Sequence, residues 1–414
     1  MKNRSGGQKV KMRILVVSQY FYPENFRVNM LSEELVKRGH EVTVLTGYPQ
    51  YPQGSLYDGY GFNLPYDRVW HGVDVQRVKV LPRGSGVWGL LMNCLSFVYE
   101  GIKWVRNCKT KFDIIYVFEV SPATVGIPAV AYKKKFDVPL LLNVQDLWPE
   151  SVEVVLGIRN RLLVGVLNRI VDSIYAASDR ILCSSKGYVT NIAARGVEKE
   201  KLVFWPQFCM EPDLTGSAKP TVYKDGNFNI VFAGNIGDAQ GLDLLIDAAD
   251  QLKDSNIRWF LVGDGRARAR LEKRAQAHAL QERVFFVGKV SEEAANVYVH
   301  YADCAYLSFM DNTLFNMVIP AKLQTYLACG TPILAVARGE SRKIVEEAQC
   351  GYTCEQNVSD VVDTIRRMME TDKLQLLSRN ARRYYLENFT VDTAVQELEN
   401  VMYNTCTCKK KYPK

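Results

Sequence analysis

Short, uninterrupted apolar runs recur along nearly the whole chain, separated by stretches whose apolar residues return every three or four positions. In the first half the runs are Arg13–Ser18, Glu41–Thr46, Asp113–Glu119, Pro139–Asp146, Arg180–Ser185 and Leu202–Trp205. In the second they are Asn229–Gly234, Arg258–Val262, Val284–Gly288, Cys304–Phe309 and Pro332–Ala337. Rich in Val, Ile, Leu and Phe without polar alternation, they predict parallel strands covered on both faces. Between them, Val28, Leu31, Leu35 and Val36 mark a helix face that Gly39 ends, and Leu242, Leu245, Ile246 and Ala249 mark another.

Strand–helix–strand units repeated in this way are right-handed and parallel, and two sets of them imply two doubly wound domains. The expected fold class is therefore α/β, with two Rossmann-like domains facing a cleft. The boundaries read as 12–206 and 229–385, with a Pro- and Gly-punctuated linker at 207–228. A helical tail at 386–414 is expected to pack back on the N-terminal domain.

Composition narrows the class. The 414 residues carry 52 basic and 45 acidic side chains, a net +7 that is too mild to favour nucleic acid. Much of the excess is terminal, in Lys2, Arg4, Lys9 and Lys11 and in Lys409, Lys410, Lys411 and Lys414, which read as solvated tails. No run approaches the ~20 apolar residues of a spanning helix, and none follows the basic start as a signal peptide requires. The first strand starts naturally at Met12, leaving residues 1–11 as an extension. The ten cysteines sit mostly in apolar runs and read as reduced and buried. The close pairs Cys350/Cys354 and Cys406/Cys408 lack the histidine or second pair of a zinc site.

Ligands of such sheets bind at the carboxyl ends of the strands, so the loops there carry the candidate chemistry. Ser18-Gln-Tyr-Phe-Tyr-Pro-Glu-Asn-Phe-Arg27 is long, aromatic and polar; Glu24, Asn25 and Arg27 are candidate acceptor contacts, or the loop merely packs on its own domain. In Asn143-Val-Gln-Asp-Leu-Trp-Pro-Glu150, Asp146 and Glu150 could orient or deprotonate a substrate hydroxyl, or serve as turn acids. Ala233-Gly-Asn-Ile-Gly-Asp-Ala-Gln-Gly241 opens a helix after a strand, with Gly234, Asn235 and Gly237 near any anion there, and Gly263-Asp264-Gly265 repeats the device. Gly288 ends a third strand. Recurrence at successive strand ends points to a nucleotide where a single Gly-x-Gly would not. Lys322 falls in the first turn of a helix after Pro320, where a cation opposes the dipole and suggests an anion nearby. Arg338-Gly339-Glu340-Ser341 makes another strand-to-helix turn, completing a possible diphosphate cradle.

Taken together and in order, Met12-Arg-Ile-Leu-Val-Val-Ser-Gln-Tyr-Phe-Tyr-Pro-Glu-Asn-Phe-Arg27, Arg38-Gly-His-Glu-Val-Thr-Val-Leu-Thr46, Gln145-Asp-Leu-Trp-Pro-Glu-Ser151 and Gly234-Asn-Ile-Gly-Asp-Ala-Gln240 resemble a retaining GT-B glycosyltransferase of family 4. The branch resembled is that of bacterial surface-polysaccharide enzymes such as the O-antigen N-acetyl-L-fucosamine transferases. The resemblance implies a UDP-sugar held by the C-terminal domain, an acceptor held by the N-terminal domain, and no essential metal or other cofactor. It also implies that the leaving phosphate helps deprotonate the acceptor hydroxyl, so that no enzymic nucleophile is required. The implied reaction moves a sugar, an N-acetylated deoxyhexosamine in this branch, to a polyprenyl-diphosphate-linked saccharide of O-antigen or capsule.

The sequence departs from the wider family at definite places. The usual Arg and Lys around the glycine turn fall on Asn235 and Gln240, and the usual two glutamates fall on Met317 and Thr325. Phosphate charge must then be met by Lys322, with help from Arg338, and ribose by backbone or Thr325. His40 matches a structural turn, and Ser121-Pro-Ala-Thr-Val-Gly126 is a candidate lining of the acceptor side.

Trp88, Leu91, Leu95, Val98, Ile102 and Val105 form a helical apolar stripe followed by Lys103, Arg106, Lys109 and Lys111, with a second basic cluster at Lys133–Lys135. The stripe reads either as core or as an interfacial helix that places a cytoplasmic protein peripherally on the inner membrane leaflet. Two other functions share the architecture: a UDP-N-acetylglucosamine 2-epimerase-like isomerase and a non-catalytic scaffold.

Overall fold

The computed structural model describes residues 11–84, 86–156 and 160–411; Lys2, Arg4, Lys9 and Lys414 lie outside them. Backbone contacts divide the chain into two units. The first comprises the chain up to Ser184, Val189–Trp205 and the residues from Val395 on; the second comprises Ser185–Tyr188 and Pro206–Ala394.

The first unit is built on strands β1 (Arg13–Val17), β2 (Glu41–Gly47), β3 (Val69–Trp70), β4 (Val73–Val78), β5 (Ile114–Glu119), β6 (Leu140–Val144), β7 (Arg180–Cys183) and β8 (Leu202–Phe204). They pair in the order β3-β4-β2-β1-β5-β6-β7-β8, parallel except for the β3–β4 pair, so the chain order reverses between β1 and β5. The second unit carries β9 (Phe228–Ala233), β10 (Ile257–Val262), β11 (Val284–Gly288), β12 (Cys304–Ser308), β13 (Ile333–Val336) and β14 (Gly351–Thr353). Its order is β11-β10-β9-β12-β13-β14, and the reversal falls between β9 and β12. Both are doubly wound α/β sheets of the Rossmann kind, as the alternating pattern predicts.

Strands β3, β4 and β14 escape a search for unbroken apolar runs. In β4, Val73, Val75 and Val78 are buried while Asp74, Gln76 and Arg77 between them are not, because β4 is the last parallel strand before a two-residue edge strand. The segment 207–228 is not a free tether. Phe208, Cys209 and Tyr223 are buried in the second unit, and the Tyr223 hydroxyl donates to the Tyr298 carbonyl at 2.8 Å.

The helix Gly86–Asn107 has two apolar faces. Cys94, Phe97 and Val105 are buried, whereas Trp88, Leu91 and Leu95, which the core reading would bury, are exposed together with Met92 and Tyr99. Among the described residues no helix is long and apolar enough to cross a membrane.

From Val395 on, the last helix (Val391–Lys411) belongs to the first unit, and a buried ion cluster holds it there. The Met12 N–H donates to His40 Nδ1 at 3.2 Å, which leaves Nε2 as the protonated ring nitrogen, 3.1 Å from Glu399 Oε1. Arg38 donates to the other Glu399 oxygen at 2.9 Å. His40 is thus a structural residue. Because Glu399→Ala would remove the buried carboxylate that both Arg38 and His40 meet, it should destabilise the protein by about 3 kcal/mol in urea unfolding. Glu399→Gln, which keeps one acceptor, should cost less.

Candidate active site

In the second unit the glycine turn after β9 and the loop after β12 meet where the strand order reverses. The Met310 N–H donates to the Ala239 carbonyl at 2.9 Å and the Ser308 hydroxyl to the Gln240 carbonyl at 2.7 Å. Gly263, ending β10, approaches the turn so closely that a Cβ there would lie 2.0 Å from the Gly234 carbonyl oxygen, and its φ of +134° also favours glycine. Gly288 continues the ladder, its carbonyl accepting from the Gly263 N–H at 2.8 Å. Asp264 is exposed, and its carbonyl accepts the Ile236 N–H at 2.8 Å, which shapes the turn around exposed Asn235 and buried Gly237.

Lys322 is the second residue of the helix Ala321–Cys329, which starts at Pro320 without a side-chain cap. Its stem passes behind Gly234, where a Cβ would lie 3.6 Å from Lys322 Cε. The ammonium sits over the Phe232 ring at 4.3 Å and the Phe309 ring at 5.0 Å, and it donates to Gln240 Oε1. Among the described residues no carboxylate pairs with it. Desolvation by this enclosure lowers its pKa from the ordinary lysine value to about 7. An ammonium in a helix's first turn, between two aromatic faces and with no counter-ion, is a cation waiting for an anion.

The other donor-side candidates divide. The first N–H groups of the helix Gly339–Ala348 have no intrahelical acceptor, as in any helix, and its N-cap residue Arg338 supplies no side-chain one. Gly339 (φ +65°) is held so close that a Cβ would meet the Asn316 carbonyl oxygen at 1.9 Å. Glu340 is buried and paired with Lys343 at 3.1 Å. Arg338 is already neutralised, donating to Asp311 at 2.8 Å and Glu355 at 3.0 Å, so it is not a free cation like Lys322. The Thr325 hydroxyl bonds back to the Ala321 carbonyl at 3.3 Å.

In the first unit, Asp146 follows β6 and is half-buried. Its Oδ2 accepts from the Ser121 N–H at 3.0 Å and the Ser121 hydroxyl at 2.8 Å, and Ser121 in turn accepts from the Trp148 indole at 2.9 Å. The aspartate is therefore fixed in orientation. Glu150 is instead tied into its own unit, accepting from Asn191 at 3.2 Å with Arg195 3.9 Å away. Glu24 is buried and receives the N–H groups of Phe21, Gln50 and Tyr51 at 3.2, 2.9 and 2.7 Å, so its carboxylate joins two loops rather than facing solvent. Burial raises its pKa above the usual carboxylate value. Asn25 beside it is exposed, and Arg27 opens the helix Arg27–Lys37.

Three participants are invisible to motif reading. Phe232 and Phe309 form the walls around Lys322, yet they look like ordinary apolar residues at the ends of β9 and β12. Glu119, the last residue of β5, is a buried acid; desolvation first, and the neighbouring Asp146 second, push its carboxyl well above the usual range. Their places at the two strand-order reversals emerge only from the sheet topology. Among the described residues no three His, Cys, Asp or Glu side chains are grouped as metal ligands.

Two doubly wound sheets with these strand-end loops define a GT-B-type transferase fold, and the comparisons agree. Residues 217–384 match the family described as glycosyl transferases group 1, and residues 25–207 match the glycosyl transferase 4-like domain. The chain is a glycosyltransferase of the family 4 type. It is 26% identical over 337 residues to an Escherichia coli (strain K12) protein named as a colanic acid biosynthesis glycosyl transferase, WcaI, covering 77% of this chain and 82% of that one. Among solved structures it resembles the sucrose-phosphate synthase of Thermosynechococcus elongatus, with TM-score 0.72, 17% identity, and coverage of 96% of this chain and 100% of the other. It also resembles Anabaena Alr3699/HepE in complex with UDP, with TM-score 0.69, 15% identity, and coverage of 95% and 100%. At these identities the structures speak for the fold alone.

The lowered Lys322 pKa makes a signed prediction about stability. The folded state sheds this proton near pH 7 while the unfolded chain keeps it until about pH 10.5, so the charge destabilises the fold most fully at and below pH 7. Lys322→Met should unfold at a higher temperature than the wild type at pH 6, with the difference shrinking as the pH rises towards 10.

Proposed function

We propose that this protein is a retaining glycosyltransferase that moves a sugar from a UDP-sugar to a polyprenyl-diphosphate-linked saccharide in bacterial surface-polysaccharide assembly. The observation that carries the donor half is the enclosed, unpaired ammonium of Lys322 beside a glycine turn and two uncapped helix starts. Those groups suit a diphosphate whose negative charge grows as the bond to the sugar breaks, the point at which electrostatic stabilisation counts most. The name of the HepE complex, which contains UDP, favours uridine as the base. The colanic acid relative favours an extracellular polysaccharide as the product. An N-acetylated deoxyhexosamine as the transferred sugar rests on the resemblance of the Gln145–Ser151 and Gly234–Gln240 motifs to the fucosamine transferase branch.

On this reading the acceptor oxygen bonds to the anomeric carbon as the bond from that carbon to the diphosphate oxygen breaks. The acceptor proton passes to the departing phosphate on the same face. Lys322 and the N–H groups of the helix starting at Gly339 receive the diphosphate, and the oriented carboxylate of Asp146 holds the acceptor hydroxyl. No metal is assigned a part.

Thermal unfolding with UDP, GDP and ADP, each in excess EDTA, tests the donor half. UDP at a hundred times its dissociation constant should stabilise the protein by about 2.7 kcal/mol, with smaller effects from the others. The stabilisation should weaken as the pH rises above 7, because the cation that meets the diphosphate is then lost before binding. Absence of a shift with all three nucleotides would contradict the donor reading. Asp146→Asn tests the other half: it should keep the UDP shift and lower sugar transfer about a hundredfold, the scale of a misplaced reacting group.

A further inference from the structure

The exposed apolar face of Gly86–Asn107 has a counterpart. In the helix Arg161–Ala177, Leu162, Leu163 and Val166 are exposed, Leu162 at 84% and Trp88 on the first helix at 78%. Both helices are crossovers of the same sheet, one leading from β4 to β5 and the other from β6 to β7. In a parallel sheet such helices start at the carboxyl ends of the strands. The helix Gly126–Phe136 lies between them: a Cβ on Gly101 would touch Pro128, and one on Gly126 would touch Ile174. The bare residues Trp88, Leu91, Met92 and Leu95 and the bare Leu162, Leu163 and Val166 thus occupy the opening turns of two helices about 20 Å apart, given ~8–10 Å per packed pair. This is the end of the sheet that carries Asp146.

On the two helices themselves the acids are paired, and the charges left unpaired are cations. Glu100 is the only acid in the first helix and is held by Lys103 at 3.3 Å; Asp172 in the second is held by Arg195 at 2.7 Å. Arg83, just before the first helix, and Arg161 and Arg169 in the second have no ion-pair partner among the described residues. A second copy of this chain would bring the same cations against them, whereas an anionic bilayer would meet them with phosphates. Trp88 and Tyr99 are the aromatic types that settle at a membrane–water boundary.

We infer that the opening turns of these two helices form one docking surface for an anionic lipid bilayer, on which the protein lies without spanning it. The inference rests on the lipid-linked acceptor of the proposed function and adds where and how the protein meets the membrane. Two helices inserted together fix the sheet's carboxyl end toward the lipid surface, which a single amphipathic stripe would leave free to roll.

Vesicle flotation of the full chain tests it. The protein should bind phosphatidylglycerol/phosphatidylethanolamine vesicles, bind pure phosphatidylcholine vesicles at least tenfold less, and dissociate as salt rises. Leu91→Ser/Leu95→Ser and Leu162→Ser/Val166→Ser should each reduce binding at least tenfold while keeping the wild-type melting temperature and UDP shift. Wild-type vesicle binding by either variant would overturn the two-helix surface. So would a concentration-dependent dimer that the leucine variants abolish in the absence of lipid, since the second copy would then be the occupant. An intact UDP shift with no vesicle binding sinks the docking surface alone; vesicle binding with no UDP shift sinks the donor assignment alone.

Discussion

The constraint around which the second unit is organised is the enclosure of one ammonium group without a counter-ion. Taking a charge out of water costs several kcal/mol unless something compensates, and proteins usually answer with a carboxylate. Here the answer is two phenylalanine faces and one amide oxygen, which soften the cost and leave the charge available. The glycine turn follows from the same requirement. Any side chain at Gly263 would drive the turn away from Lys322, and any at Gly339 would displace the short helix Thr313–Met317 that carries Asn316.

The contrast with the neighbouring charges shows what is held in reserve. Arg338 looks from its sequence like a phosphate ligand, but Asp311 and Glu355 already occupy both edges of its guanidinium. In the first unit Glu24 is likewise committed, to three backbone N–H groups, whereas Glu150 is tied to Asn191 through Oε1 and its Oε2 is buried with no hydrogen-bond partner among the described residues. Asp146 is also hydrogen-bonded, but only through Oδ2 to Ser121, an arrangement that aims the carboxylate rather than using it up. Oriented but uncommitted charge is what a reacting site needs, and Lys322 and Asp146 meet that criterion.

Periodicity reveals the sheets because burial on both faces forces unbroken apolar runs, and eleven of the strands lie in such runs. It is silent on β4, where one face is open, on β3, which is two residues long, and on β14, whose Gly351-Tyr-Thr353 is no apolar run. The same physics explains what was legible of the site. Lys322 stood out because a cation in a helix's first turn defies the dipole, and the glycine turns stood out because they recur. Nothing in the sequence marks Phe232 and Phe309 as the walls of a charge site, since their local pattern is that of a strand end. Nor could the sequence tell that the stripe is exposed at Trp88, Leu91 and Leu95 and buried at Val105, because a helix with two apolar faces has the same periodicity whichever face is covered.

The departures from the wider family become coherent once Gln240 is seen as the acceptor of the Lys322 ammonium. A lysine at position 240, where the wider family places one, would set a second cation against the first at hydrogen-bond distance. A glutamate there would neutralise Lys322 and close the site to an anion. The neutral amide is the side chain of that length that holds the ammonium in place without either effect. In this chain the glycine turn from Gly234 to Gln240 carries no cation, and the site's positive charge comes from the opening turn of the facing helix, at Lys322.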